Sequence, residues 1–262
     1  MKKILFALAG VITMAMSSCL PEPGYSYSTT FSRVVTIDTI STPIKFVADY
    51  TGEVFKGLSN LQYTEQLAMF NLDGAKRAEV LVRLDVDASY NNSLLMLDAR
   101  EIKVRPITNL AVPTEKQMPL LGLQHYPLGG TSLAPATWVS NGYLNVLPIV
   151  PSKKSATYYL TPEKAVNDSL FFNLTAAYEE DSLKSFIEDI HCYDLRTLRD
   201  TASADAELRE KMSEVLAAME EHRKDSVKIF VTGKFIRYNY NYLGRDTIET
   251  VHYETNSFKY DF

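Results

Sequence analysis

Apolar and polar positions alternate along residues 79–87: Val80, Val82, Leu84 and Val86 interleave with Leu81, Arg83, Asp85 and Asp87. Period two predicts a strand with one buried face. Ser89-Tyr90-Asn91-Asn92-Ser93 reads as a turn. A second strand is predicted over 94–104, ending before Pro106. Upstream, 33–39 and 45–50 carry strand patterns, Asn71-Leu72-Asp73-Gly74 is a turn, and 64–70 fits a short helix or an irregular strand. Five short strands in about 80 residues suit a small closed barrel.

Prolines 106, 113, 119, 127 and 135, with Gly129-Gly130, mark 106–136 as a linker and the way into a second domain. Strand patterns resume at 137–149, 157–160, 169–178, 186–198, 227–242, 247–254 and 257–262, with Gly244-Arg245-Asp246 as a hairpin turn and Gly233 as a bulge. One segment has a different period. Over 205–223, Leu208, Met212, Val215, Leu216 and Met219 recur at three-and-four spacing, which predicts an inserted amphipathic helix. Ser203 or Asp205 can cap it, and Arg223 and Lys224 suit its negative end. The helix is expected to pack over an end or edge of a sheet.

The N-terminus carries the most specific signal. Lys2 and Lys3 precede an apolar run over 4–16, then Ser17, Ser18 and Cys19. Residues 1–18 read as a secretory signal peptide, and the run is short of the about 20 residues that a membrane span needs. Cys19 after two small residues resembles a bacterial lipobox, in which the thiol is acylated (palmitate class) and the chain is cut before it. Residues 19–27, containing Leu20-Pro21-Glu22-Pro23-Gly24, would be the tether. The expected location is the outer membrane of a Gram-negative envelope, bound through the lipid. Glu22 alone is a sparse acidic signal, which favours the periplasmic side over the cell surface. With Cys19 lipidated, Cys192, the second of the two cysteines, is a lone thiol expected to act as a small buried hydrophobe.

The net charge of −5 argues against nucleic acid as a partner, since phosphate binding needs a basic face. Enzyme motifs are scarce. His125, His191, His222 and His252 form no H-x-x-x-H pair, and the chain has no C-x-x-C, no G-x-S-x-G and no phosphate-binding glycine loop. No catalytic residue, metal ligand or cofactor is therefore assigned, and the chain is read as a non-enzyme. His191 and Cys192 would point to opposite faces of a strand, so they form no dyad. Glu179, Glu180 and Asp181 read as a solvated turn. The alternative is an envelope hydrolase acting on glycan or peptide through carboxylates that the fold brings together.

Tyr238, Tyr240 and Tyr242 alternate with asparagines, placing three phenols on one strand face that suits a glycan or a protein partner. Phe258, Tyr260 and Phe262 alternate likewise. Asp followed by Ser or Thr and a small or aliphatic residue recurs at Thr39, Ser169, Ser182, Thr201, Ser226 and Thr247. The triplet resembles an O-glycosylation acceptor of exported bacterial proteins. Its simpler reading is the turn chemistry of Asp-Ser and Asp-Thr.

Several passages together resemble the NigD-like lipoproteins. They are Asn71-Leu72-Asp73-Gly74-Ala75-Lys76-Arg77 before Val80-Leu81-Val82, Thr137-Trp138 through Leu144-Asn145-Val146, and Tyr193-Asp194-Leu195-Arg196. The resemblance implies a mainly β protein: an OB-like β-barrel over 28–110, then an antiparallel β-sandwich over 111–262 carrying the helix. It implies no catalytic residues and no cofactor. The expected function is a membrane-anchored envelope lipoprotein that binds or assembles with an envelope protein or glycan. An accessory or immunity role linked to bacteriocin production is suggested by the family name alone.

Overall fold

The computed structural model describes residues 28–41, 44–56, 71–85, 99–129, 132–133, 135–152, 155–179, 187–200, 202, 204–222, 227–237 and 247–255. Strands β1 (Ser28–Asp38), β2 (Lys45–Ala48), β3 (Val54–Lys56), β4 (Arg77–Asp85) and β5 (Ala99–Arg105) form an antiparallel sheet in the order β3-β2-β1-β4-β5. Pairing sets Val35 opposite Ala48 and Ala78, and Phe46 opposite Ile37 and Phe55. These side chains share one face, and with Ile44, Leu72 and Val80 they make the first core.

The closed barrel expected over 28–110 is not formed: among the described residues β3 and β5 are the two ends of an open sheet. The reason lies in the second face. Val34, one residue out of phase with Val35, is buried with Trp138, Tyr126, Leu147, Ile190 and Cys192 of the later chain. Both faces of the sheet are thus covered without closure, one by its own core and the other by the later chain.

The proline-rich stretch is built into the sheets. It contains β6 (Ile107–Thr108), β7 (Gly122–Leu123), β8 (Pro127–Gly129) and β9 (Ser132–Leu133). Two four-stranded sheets follow. The first has the order β10-β11-β16-β6, from β10 (Thr137–Ser140), β11 (Tyr143–Val146) and β16 (His191–Asp194). The second has the order β13-β14-β17-β18, from β13 (Thr157–Val166), β14 (Ser169–Ala177), β17 (Lys228–Arg237) and β18 (Thr247–Glu254). Strand β12 (Pro148–Val150) pairs with β15 (Ile187–Glu188) on one side and with β7 on the other, in a smaller sheet. The two larger sheets share one core, in which Leu144, Val146 and Tyr193 meet Leu160, Leu170, Phe172, Leu174 and Val231. The fold is mainly β, as expected. Most pairings are antiparallel, but β14 runs parallel to β17 and β16 parallel to β6.

The single α-helix of the described residues, α1 (Ala206–His222), lies in the crossover between β14 and β17 and packs on the edge strand β13. Asp205 caps it, accepting from the Leu208 N–H at 2.8 Å. Leu208, Met212, Val215 and Met219 are buried on the sandwich core. Each stabilises by about 2 kcal/mol relative to exposure.

Two local readings change. Residues 137–149 are not one strand: Asn141 and Gly142 take φ of 50° and 81°, and the chain folds back as the β10–β11 hairpin. The Asn-Gly pair is the sequence signal for such a turn. Gly233 is not a bulge, because its register with both neighbours is unbroken. A Cβ there would sit 2.9 Å from the Phe235 ring, so the glycine makes room for that ring. Just beyond, β14 and β17 splay. Met118 bridges to Ala176 and Leu120 to Phe235, filling the gap with backbone hydrogen bonds.

Candidate functional site

The most strongly organised polar cluster joins the first sheet to the sandwich. Arg77 on β4 and Asp49 in the turn after β2 form a buried ion pair, with the side chains 0% and 4% exposed. The Arg77 Nη1 donates to Asp49 Oδ1 at 2.8 Å and to Thr36 Oγ1 at 2.6 Å, and Nη2 donates to Asp49 Oδ2 and to Asn145 Oδ1. From the sandwich, Trp138 Nε1–H donates to Asp49 Oδ2 at 2.9 Å and Asn145 Nδ2 to the same oxygen at 3.2 Å. Asn141 Nδ2, at the hairpin tip, donates to Thr36 Oγ1 at 3.0 Å.

Strand periodicity explains the convergence. On β1, Thr36 and Val34 share the second face, and Thr36 lies opposite Arg77. On the sandwich side, β10–β11 pairing sets Trp138 opposite Asn145. Burial works against the Arg77 charge, but hydrogen bonding to Asp49 and its opposite charge outweigh it, and the guanidinium is held above its ordinary pKa. Two guanidinium groups lie over the Tyr143 ring, Arg77 at 5.0 Å and Arg196 at 4.5 Å from its centroid. Arg196 is fixed by two 2.7 Å bonds to Asp194, which raise its pKa further. Tyr50, next to Asp49, takes φ of 67°, a left-handed conformation costing a non-glycine residue about 1–2 kcal/mol. The anchoring of Asp49 holds that turn in place.

A second polar bridge lies alongside. Arg105 on β5 donates to Glu79 and to Asp189, and Tyr126 O–H donates to Glu79 at 2.9 Å. Burial, reinforced by the Glu79 charge, raises the Tyr126 pKa. Cys192 is a free thiol, fully buried, and burial pushes its pKa up despite Arg77 beside it. On β16, Cys192 faces the first sheet and His191 the sandwich core, so the two do not form a dyad. These groups neutralise and orient one another. The Asp49 carboxylate accepts from Arg77, Trp138 and Asn145 at once.

Two cavities flank the start of α1. One, of about 450 Å³, has a floor of Leu110, Leu208 and Met212 and a rim that includes Asn109, Asp200 and Asp205. The other, of about 330 Å³, is lined by Thr161, Glu163, Asn173, Glu207 and Lys211 among others. Among the described residues no group of three or more His, Cys, Asp or Glu is arranged to hold a metal. No helix of the described residues is long and apolar enough to cross a membrane.

Of the residues singled out from sequence, Cys19, Tyr238, Tyr240, Tyr242, Ser182, Thr201 and Ser226 lie outside the described residues. So do the signal segment, the tether and the 257–262 strand. Thr39 follows β1 and is half-buried, beside Asp38, whose carboxylate accepts from Ile40 and Ser41. Ser169 opens β14 and its hydroxyl donates to Asp168 at 3.3 Å. Thr247 opens β18 and is exposed. The described triplets thus sit at strand ends, dispersed over the molecule. Asp49 has no sequence signal of its own; only tertiary contacts reveal its role. Arg77, Trp138 and Asn145 belong to two of the three passages that carried the family resemblance, and the structure brings them together around it.

No family model matches the sequence, and no curated protein matches it either. Solved structures do share the architecture. A candidate lipoprotein from Bacteroides fragilis superimposes with a TM-score of 0.57 at 13% identity, over 89% of this chain and 99% of that one. A candidate toxin-related protein from Parabacteroides distasonis gives 0.44 at 13% identity, over 86% and 93%. A NigD-like immunity protein from Bacteroides caccae gives 0.42 at 12% identity, over 85% and 93%. The chain has the fold of the Bacteroides fragilis candidate lipoprotein.

Proposed function

We propose that this chain is a bacterial envelope lipoprotein, anchored through Cys19, whose folded part is a non-catalytic binding or assembly module. The observation that carries the reading is the fold shared along almost the whole length with the Bacteroides fragilis candidate lipoprotein. The lipobox-like Ser17-Ser18-Cys19 supports the anchor. The lipid would sit in the outer membrane, with the folded part on the periplasmic side. The partner is an envelope protein or a glycan, for which Tyr238, Tyr240 and Tyr242 are the proposed contact face. O-glycosylation is proposed at the six Asp-Ser and Asp-Thr triplets, with exposed Thr247 the most accessible of the described hydroxyls.

The test is detergent-phase partitioning and intact-mass analysis of the protein from its native host, beside Cys19→Ala, followed by pull-down from native envelopes. A mass gain of acyl chains that Cys19→Ala loses, with reproducible enrichment of one envelope component by the anchored form, is the expected result. An unmodified Cys19 overturns the anchor. Turnover of envelope glycan or peptide, lost in Glu163→Gln or Asp200→Asn, overturns the non-catalytic reading in favour of a carboxylate hydrolase.

A further inference from the structure

The cavity of about 330 Å³ beside α1 is walled by three pieces of the fold. The first is a bulge in β13. Pro162 pairs with Phe172 and Lys164 with Phe171, which leaves Glu163 as the extra residue. Proline is admitted there because β13 is an edge strand among the described residues. The second piece is the segment 111–118, pinned at both ends. Thr161 Oγ1 donates to Ala111 O at 2.6 Å, and the Met118 N–H donates to Ala176 O at 2.8 Å. The third is the start of α1, where Glu207 and Lys211 are four residues apart and so lie on one face. An aromatic pair adjoins the cavity. On β14, Asn173 lines the cavity and Phe171 is two residues before it, so both lie on the sheet face opposite the core side chains Phe172 and Leu174. The Phe171 ring stacks on Phe230 of β17, with centroids 5.0 Å apart and planes 12° apart, and Lys164 Nζ lies 5.1 Å from the Phe171 centroid.

We propose that this cavity, with the Phe171–Phe230 pair beside it, binds a neutral saccharide. The lining mixes donors and acceptors: Gln117 and Asn173 carry amides, Glu163 and Glu207 carboxylates, and Lys211 an ammonium. An ion of either sign would meet a like charge there. A sugar hydroxyl meets none, because it donates to a carboxylate and accepts from an amide or ammonium N–H, and hydrogen bonds to charged groups are the stronger kind. Val112, Pro113 and Pro162 supply apolar wall. A sugar ring has a polar rim and apolar C–H faces, so polar groups set in apolar wall, next to two phenyl rings, complement both. The volume is at the small end for ligand sites, which suits the end of a glycan rather than a long stretch of it. The inference rests on the binding role proposed above and names its ligand class, at residues other than Tyr238, Tyr240 and Tyr242.

The test titrates the full chain, in a detergent without sugar head groups, with two sets of probes. One is neutral oligosaccharides released from the host's own envelope; the other is xylo-, manno-, malto- and chito-oligosaccharides, so that the arms separate an envelope glycan from an external one. Asn173→Ala and Lys211→Met alter side chains that are not buried, so folding is retained. Each is expected to weaken the best probe by about tenfold, the loss of one hydrogen bond to an amide or a charged group. Hydrogen exchange of the parent chain, saturated with that probe, is expected to slow in 111–118 and in the first turns of α1. Binding that survives both variants, or exchange that slows elsewhere and not there, overturns the cavity. If Tyr240→Ala alone abolishes binding, the cavity fails and the glycan-binding reading stands. If no oligosaccharide binds, the cavity fails; the binding reading then stands where the envelope pull-down enriches one protein and falls where it enriches nothing.

Discussion

Replacing Asp49 by Asn tests whether the buried seam holds the two parts of the molecule together. The side chain keeps its size and still accepts from Trp138, but Arg77 loses its counter-charge in a site where neither group meets solvent. Removing one partner of a buried ion pair costs about 3–5 kcal/mol. That is a large share of the roughly 5–15 kcal/mol that holds a typical domain together. Arg77→Met is expected to cost a similar amount, because it strands the Asp49 carboxylate. The double variant Asp49→Asn/Arg77→Met buries no charge and is expected to recover at least about 2 kcal/mol relative to the sum of the singles. The assay is urea unfolding followed by far-UV circular dichroism and by tryptophan fluorescence. Trp138 is the sole tryptophan, 1% exposed and bonded to Asp49, so its emission reports the seam directly. In Asp49→Asn the fluorescence transition should move to lower urea than the circular dichroism transition, as the seam opens before the sheets melt. A loss under about 1 kcal/mol with unchanged emission, or a double variant no better than the sum, would refute the seam as a stabilising element.

Three further outcomes follow from the same structure. Stability should rise with pH between about 4 and 6.5: His191 has a folded pKa of about 4 against 6.5 in the unfolded chain, so the unfolded state binds the extra proton in that window. The shift corresponds to about 3 kcal/mol at most. Its causes are burial and the Arg105 charge, opposed by Asp189, with the Tyr158 ring against the imidazole. A Tm-against-pH profile for His191→Phe as steep as that of the parent over this range would exclude His191 as the source. Gly142→Ala should cost about 1–2 kcal/mol by thermal melt, because it forces a side chain into φ of 81° and places Cβ 3.3 Å from Arg196 Cδ; a neutral result would mean that the hairpin does not need its positive φ. Met212→Ala, which empties a 2% exposed position between α1 and the sandwich, should cost about 2–5 kcal/mol by urea titration, and a loss under 1 kcal/mol would show that the helix is not part of the core.

The sequence by itself determined the local periods. Alternation placed the paths of β4, β14 and β18, and three-and-four spacing placed α1 with Asp205 at its cap, because these patterns depend only on neighbours along the chain. It also carried the family resemblance, in passages that include Arg77, Trp138 and Asn145. The Asn141-Gly142 hairpin was legible as well, but the apolar run on either side masked it. What only the tertiary structure decided were the long-range partnerships. Asp49 lies 28 residues from Arg77 and 89 from Trp138, and nothing in its neighbourhood announces that its carboxylate will be buried. Whether the first sheet closes into a barrel or stays open depended on what covers its second face. A strand's own pattern states that a face is buried; the partner that buries it is set by the packing of the whole chain, and here that partner was the sandwich.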